Sequence, residues 1–236
     1  DNGSTISSRK KPEIRPQSII QFPFIMLKTR IIPTMLYKGL GLVKGVGFDS
    51  WRRVGSALQS INVYSMRGVD ELIFLDISAT PEGREPDFET IDDLADECFM
   101  PFTVGGGIKA IDEVRRMLQV GADKVSINSA AITDRKLIAE AARRFGSQCI
   151  VVSIDYREQE GNRREVFSHC GNRPTGFDPV DIAAMAEDLG AGEILLTSIG
   201  RDGTMTGYDI EGISKVTRAV NIPVIASGGA GSYEDF

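Results

Sequence analysis

The 236-residue chain has one histidine, three cysteines and one tryptophan. With His169 as the sole imidazole, an all-protein zinc site lacks ligands, and neither a metal nor a cofactor is expected. Cys98, Cys149 and Cys170 are odd in number and widely spaced, which argues against a disulfide framework and suits a reducing cytoplasm. No apolar run reaches the roughly 18 residues of a membrane span, and residues 19–26 are too short and broken for a signal-peptide core. The 27 basic residues fall short of the 33 acidic ones, and no basic tract is long enough to follow a phosphate backbone or a membrane surface. Nucleic acid and membrane are therefore not expected as partners. The P-loop pattern GxxxxGK[ST] is missing as well.

What is present is an ordinary globular composition, 42% hydrophobic, enough for one large core. Residues 1–25 are polar, lack periodicity and read as an extension, so the domain is expected over 26–236. Strand-like runs occur at 30–36, 71–77, 101–104, 124–128, 149–155, 193–198 and 223–227. Helical patterns lie between them, including 111–120 and 134–145, the latter with Thr133 as expected N-cap and Gly146 as stop. Strand and helix in alternation predict a parallel sheet.

An internal repeat sharpens this. GVDELIFLD begins at Gly68 and GAGEILLTS at Gly190, while TVGGG ends at Gly107 and ASGG at Gly229, both offsets being 122 residues. Two halves with the same order of pieces predict a duplicated half-barrel, hence an α/β chain of the (β/α)8 TIM-barrel class. A doubly wound open sheet is the alternative, but it does not explain glycine-rich turns after two equivalent strands. Seven strands are countable, and at roughly 30 residues per βα unit the barrel is expected to be truncated after strand 7, with strands 1 and 7 as free edges.

In a parallel barrel, chemistry sits at the C-terminal strand ends. Those positions hold Leu36, Asp76, Thr103 with Gly105, Gly106 and Gly107, Asn128, Asp155, Thr197 with Asp202 and Gly203, and Ser227 with Gly228 and Gly229. Each glycine cluster follows a strand and precedes a helix, so its N–H groups can face an anion; two such sites suit a bis-phosphorylated small molecule. Glycines that merely make tight βα turns are the lesser alternative, given the repeat. Asp155 closes an apolar strand and is either a general acid–base or a loop cap. Asp202 is a second acid or a turn former, His169 reads as a loop residue, and Lys44 is a phosphate-facing or a solvated lysine. At the opposite strand ends Arg30, Glu71, Lys124 and Glu193 alternate in sign; they either face solvent or form a neutral ring plugging the barrel base.

RIIP, LVKGV, DELIFLDI, FTVGGGI, GADKVSIN, FGSQC, VVSID, GAGEILLTSI, RDGT followed by GYD, and IPVIASGGAG together resemble the cyclase subunit family of imidazole glycerol phosphate synthase, almost continuously over 26–236. The resemblance implies a lyase-type barrel that takes ammonia from a glutaminase subunit docked at its base. It implies an ammonia gate at Arg30, Glu71, Lys124 and Glu193, and a loop lysine at Lys44. Phosphate loops are implied at Gly105, Gly106, Gly107 and Asn128, and at Asp202, Gly203, Gly228 and Gly229, with a catalytic aspartate at Asp155.

One family position differs. Where the family continues from RIIP into cysteine-leucine-aspartate, this chain has Thr34-Met35-Leu36, so Leu36 replaces the second catalytic acid. A leucine moves no proton, and one acid–base group is worth roughly 10²–10⁴ in rate, so weak cyclase activity is expected. A retained gate beside a lost acid resembles paralogues found with surface-polysaccharide (lipopolysaccharide) genes, in which barrel and glutaminase feed ammonia to a third enzyme that makes an acetamidino sugar. That role is the leading expectation. A histidine-pathway cyclase is the alternative, and a non-catalytic activator of the glutaminase is a second one.

Overall fold

A computed structural model of the chain describes residues 29–39 and 41–236. The expected extension at 1–25 lies outside the described residues. The first element among the described residues is β1 (Thr34–Lys38), followed by the hairpin β2 (Gly41–Val46) and β3 (Asp49–Gly55) and by α1 (Ala57–Arg67). Then follow β4 (Leu72–Asp76), α2 (Ala79–Glu82), α3 (Phe88–Ala95), β5 (Phe102–Gly105), α4 (Ile111–Gln119), β6 (Lys124–Ile127), α5 (Ser129–Thr133) and α6 (Arg135–Phe145). The second half comprises β7 (Ile150–Gln159), β8 (Arg163–Ser168), β9 (Arg173–Pro174), α7 (Pro179–Asp188), β10 (Glu193–Ser198), α8 (Ile210–Ala219) and β11 (Val224–Ser227).

Among the described residues seven strands run parallel in the order β1-β4-β5-β6-β7-β10-β11, each paired with the next in this order. This curled, sequentially ordered sheet, backed by helices, is the TIM-barrel arrangement carried through seven of its eight strands. All four residues of β11 are only half buried, as befits the last strand of the described sheet.

Strand alternation divides the side chains between two cores. Met35, Tyr37, Leu72, Phe74, Phe102, Val104, Val125, Ile127, Val152, Ile154, Ile194 and Leu196 face the helices. Phe74 stacks between Tyr37 and Phe102 at ring-centroid distances of 5.3 and 6.4 Å; burial of each such ring is worth about 1.5–3 kcal/mol. Ile73, Val151 and Leu195, with Ile32, Leu75 and Ile225 against them, form a separate apolar layer inside the barrel.

Several expected boundaries move. The first strand begins at Thr34 instead of residue 30, because Pro33 has no N–H to give the ladder, although its carbonyl still accepts from Ile73. The cap of α6 is Asp134, whose carboxylate accepts from the Lys136 N–H, while the Thr133 hydroxyl bonds back to the Ser129 carbonyl at 3.1 Å. The strand read at 149–155 extends to Gln159, because past the sheet it pairs antiparallel with β8.

Candidate active site

The cavity opens at the C-terminal ends of the parallel strands, where Asn128, Asp155, Thr197, Asp202 and Ser227 converge. The opposite wall is apolar: Leu36, Leu75 and Ile77, with Phe48 and Trp51 reaching over from the β2–β3 hairpin. Asp155 reaches this place because Val151, Ser153 and Asp155 alternate on the inner face of β7 while Val152, Ile154 and Tyr156 face the helices.

Asp155 is 9% exposed and accepts from Asn128 Nδ2 at 3.1 Å. Burial drives its carboxyl upward, hydrogen bonds from Thr197 and Ser153 work against that, and the nearby Asp202 charge adds to the rise, which leaves it at about 7. Such a group is half protonated at neutral pH and can both take and give a proton. Asp202 is itself raised by burial. Asp76 also borders the cavity but is fully engaged. One oxygen accepts from the Ser78 N–H, the Ser78 hydroxyl and the Ala79 N–H; the other accepts from Arg84 at 2.6 Å.

The glycine clusters occupy equivalent turns. Gly106 and Gly107 leave β5 with φ of +115° and +76°; Gly228 and Gly229 leave β11 with +88° and +114°. A Cβ at Gly106 would stand 2.3 Å from the Asp76 carbonyl oxygen, and one at Gly229 would stand 2.2 Å from that of Gly207. Backbone geometry therefore requires glycine at both turns, whatever they bind.

Not every expected residue borders the cavity. Gly106, Gly107, Asn128, Thr197, Asp202 and Asp155 do. Thr103 lies lower, buried and in register with Ile73 and Lys124, because β5 runs on through Gly105 before the turn. Lys44 is exposed on β2, away from the cavity lining. Gly105 closes β5, and Gly203, Gly228 and Gly229 lie in the turns after β10 and β11, beside the lining residues Asp202 and Ser227. His169 sits in the turn after β8 and contacts Ser168 and Arg173. The aromatic pair Phe48 and Trp51 had no signal in strand and helix periodicity, because a hairpin from outside the barrel delivers it.

At the other end of the barrel the four charged residues do come together. Arg30 pairs with Glu71, and Lys124 Nζ bridges Glu71 at 3.0 Å and Glu193 at 2.8 Å. The Glu71 and Glu193 side chains are 5% and 12% exposed, so the Lys124 ammonium between them is what makes their burial tolerable. Burial opposes the Lys124 ammonium, but its bonds to Glu193 and Glu71 outweigh this and hold its pKa above the ordinary value. Thus an ion-paired layer at the base, the Ile73, Val151 and Leu195 layer above it and the carboxylate mouth succeed one another along the barrel interior.

Sheet order and site placement define a (β/α)-barrel protein whose cavity is built as enzymes of that class build theirs. Residues 30–236 match the family model described as histidine biosynthesis protein. The chain is 50% identical over 211 residues to the imidazole glycerol phosphate synthase subunit HisF of Hyphomonas neptunium, which covers 89% of this chain and 83% of that protein. The chain belongs to the histidine biosynthesis protein family, as a barrel of the imidazole glycerol phosphate synthase cyclase type. Among the described residues no helix is long and apolar enough to cross a membrane, and no group of three or more His, Cys, Asp or Glu side chains could hold a metal ion.

Proposed function

We propose that this chain is the synthase-side subunit of a two-component glutamine amidotransferase of the imidazole glycerol phosphate synthase type. The observation that carries the proposal is the pairing of two features at opposite ends of one barrel interior: the ion pairs linking Arg30, Glu71, Lys124 and Glu193, and the buried Asp155 carboxyl raised to about 7. A glutaminase partner docks at the base and releases ammonia there. Only neutral ammonia, not ammonium, passes the Ile73, Val151 and Leu195 layer cheaply. At the mouth, a bis-phosphorylated substrate lies between the two glycine-turn sides, and Asp155 moves protons as ammonia adds.

The name of the relative favours the ring-closing reaction of histidine biosynthesis, so that reading is placed ahead of the amidino-sugar one. Leu36 is the observation that favours the second reading, ammonia delivered to another acceptor, because it puts an apolar side chain into the cavity where the family carries an acid. Turnover of the ribulosyl formimino bis-phosphate with ammonia separates the two. The first reading expects activity in the wild type that Asp155→Asn lowers by roughly 10²–10⁴. The second expects almost none until Leu36→Asp raises it at least tenfold. Absence of turnover in both proteins would overturn the cyclase assignment.

A further inference from the structure

Tyr156 follows Asp155 on β7, and strand alternation turns its side chain to the helix side, where it is 1% exposed. There its hydroxyl donates to Asp209 Oδ2 at 2.9 Å. Arg164, from β8, holds the same carboxylate with a two-pronged fork, Nε to Oδ2 at 2.7 Å and Nη2 to Oδ1 at 2.8 Å. Asp209 caps α8 by accepting from the Gly212 N–H at 3.1 Å. Burial favours its neutral form, but the Arg164 fork, the Gly212 N–H and the Tyr156 hydroxyl prevail and pull it down to about 2. All three side chains are buried, yet none borders the cavity. A desolvated ion pair is a costly way to fill a core, which calls for a function beyond packing.

The connectivity supplies one. Tyr156 grips the 199–209 loop at both ends: its carbonyl accepts from the Ile199 N–H at 2.9 Å, and its hydroxyl holds Asp209. Between these anchors lie Asp202 and Gly203. The loop also sets the second glycine turn, since the Gly207 N–H donates to the Gly229 carbonyl at 2.8 Å while Arg201 holds the Gly207 carbonyl at 3.1 Å. The first glycine turn is held by other contacts, the Gly107 N–H donating to the Thr80 hydroxyl at 3.3 Å. Gly212 completes the network, since a Cβ there would stand 2.4 Å from Asp209 Oδ2 and 2.7 Å from Arg164 Nε.

We propose that Tyr156, Arg164 and Asp209 are positioning residues that fix the 199–209 loop, and through it the Gly228 and Gly229 turn, so that this side of the mouth receives one phosphate of the substrate. The inference rests on the reading of the mouth as a bis-phosphate site. Two-dimensional NMR of the full chain, titrated with ribulose 1,5-bisphosphate as probe, tests it in the wild type, Tyr156→Phe and Gly212→Ala. Tyr156→Phe removes one hydroxyl from an otherwise unchanged ring, and Gly212→Ala displaces the network without removing a member. In the wild type, the amide signals of Gly106, Gly107, Gly203 and Gly229 respond together. In either variant, Gly203 and Gly229 lose their response and the probe binds about tenfold more weakly, while Gly106 and Gly107 still respond. A variant that melts lower but keeps all four responses and the wild-type affinity makes the network merely structural and overturns the inference alone. A wild type that shows no response overturns the bis-phosphate reading, and the inference with it.

Discussion

Replacement of Asp155 by asparagine isolates the property that makes this residue a candidate acid–base. In the folded chain the carboxyl titrates near 7, against an ordinary value of 3.8. Below pH 3.8 both folded and unfolded chains hold the proton, and the group costs the fold nothing by titration. As pH rises, the unfolded chain loses its proton first, so stability declines until the folded carboxyl also ionises above pH 7. At about 1.36 kcal/mol per pH unit, the loss is about 1.5 kcal/mol at pH 5 and about 4 kcal/mol at pH 8. Asparagine occupies nearly the same volume and does not titrate. Urea unfolding of wild type and Asp155→Asn at both pH values should therefore show the wild type losing about 2.5 kcal/mol relative to the variant between pH 5 and pH 8. Parallel pH dependences would refute the reasoning, since they would mean that the carboxyl is already ionised at pH 5 in the folded protein.

Three further perturbations act elsewhere in the barrel. Lys124→Met leaves the Glu71 and Glu193 carboxylates buried without their shared cation and should cost about 3–5 kcal/mol in urea unfolding at pH 8. Gly106→Ala forces a Cβ against the Asp76 carbonyl and should lower Tm well beyond Gly39→Ala, where φ is +63° but nothing lies within 4 Å and the cost is about 1–2 kcal/mol. Arg84→Met strips the buried Asp76 of its guanidinium partner. It should destabilise the chain by more than about 2 kcal/mol in thermal unfolding monitored by circular dichroism, whereas Arg115→Met, at an exposed pair, changes it by less than about 1 kcal/mol.

Much of the barrel was legible because parallel strands announce themselves. The run IVVSI at 150–154 is apolar on both faces since both are covered, and the repeat at an offset of 122 residues tied β5 to β11 before any pairing was known. The alternating signs of Arg30, Glu71, Lys124 and Glu193 could be read from the sequence, but only the fold shows the ion pairs that link them, and Arg30 stands ahead of β1 instead of at a strand start. Thr103 was misjudged by one pleat, because a boundary error of a single residue changes the level at which an inward side chain stands. The β2–β3 hairpin was missed, as its glycines read as loop, and with it Phe48 and Trp51, which close the apolar wall of the cavity. The Tyr156, Arg164 and Asp209 contact spans 53 residues and belongs to no periodicity, so only the fold could reveal it.

The proposed function has ammonia cross this barrel from the ion pairs at its base to the carboxylate mouth. It is tested most directly in the complex with the glutaminase subunit, supplied with glutamine labelled with ¹⁵N in its amide and an excess of unlabelled ammonium in the medium. The aminated product should carry the label in the wild type and lose most of it in Lys124→Met, while use of free ammonium persists. Product that is unlabelled in the wild type, or equally labelled in both proteins, would contradict it.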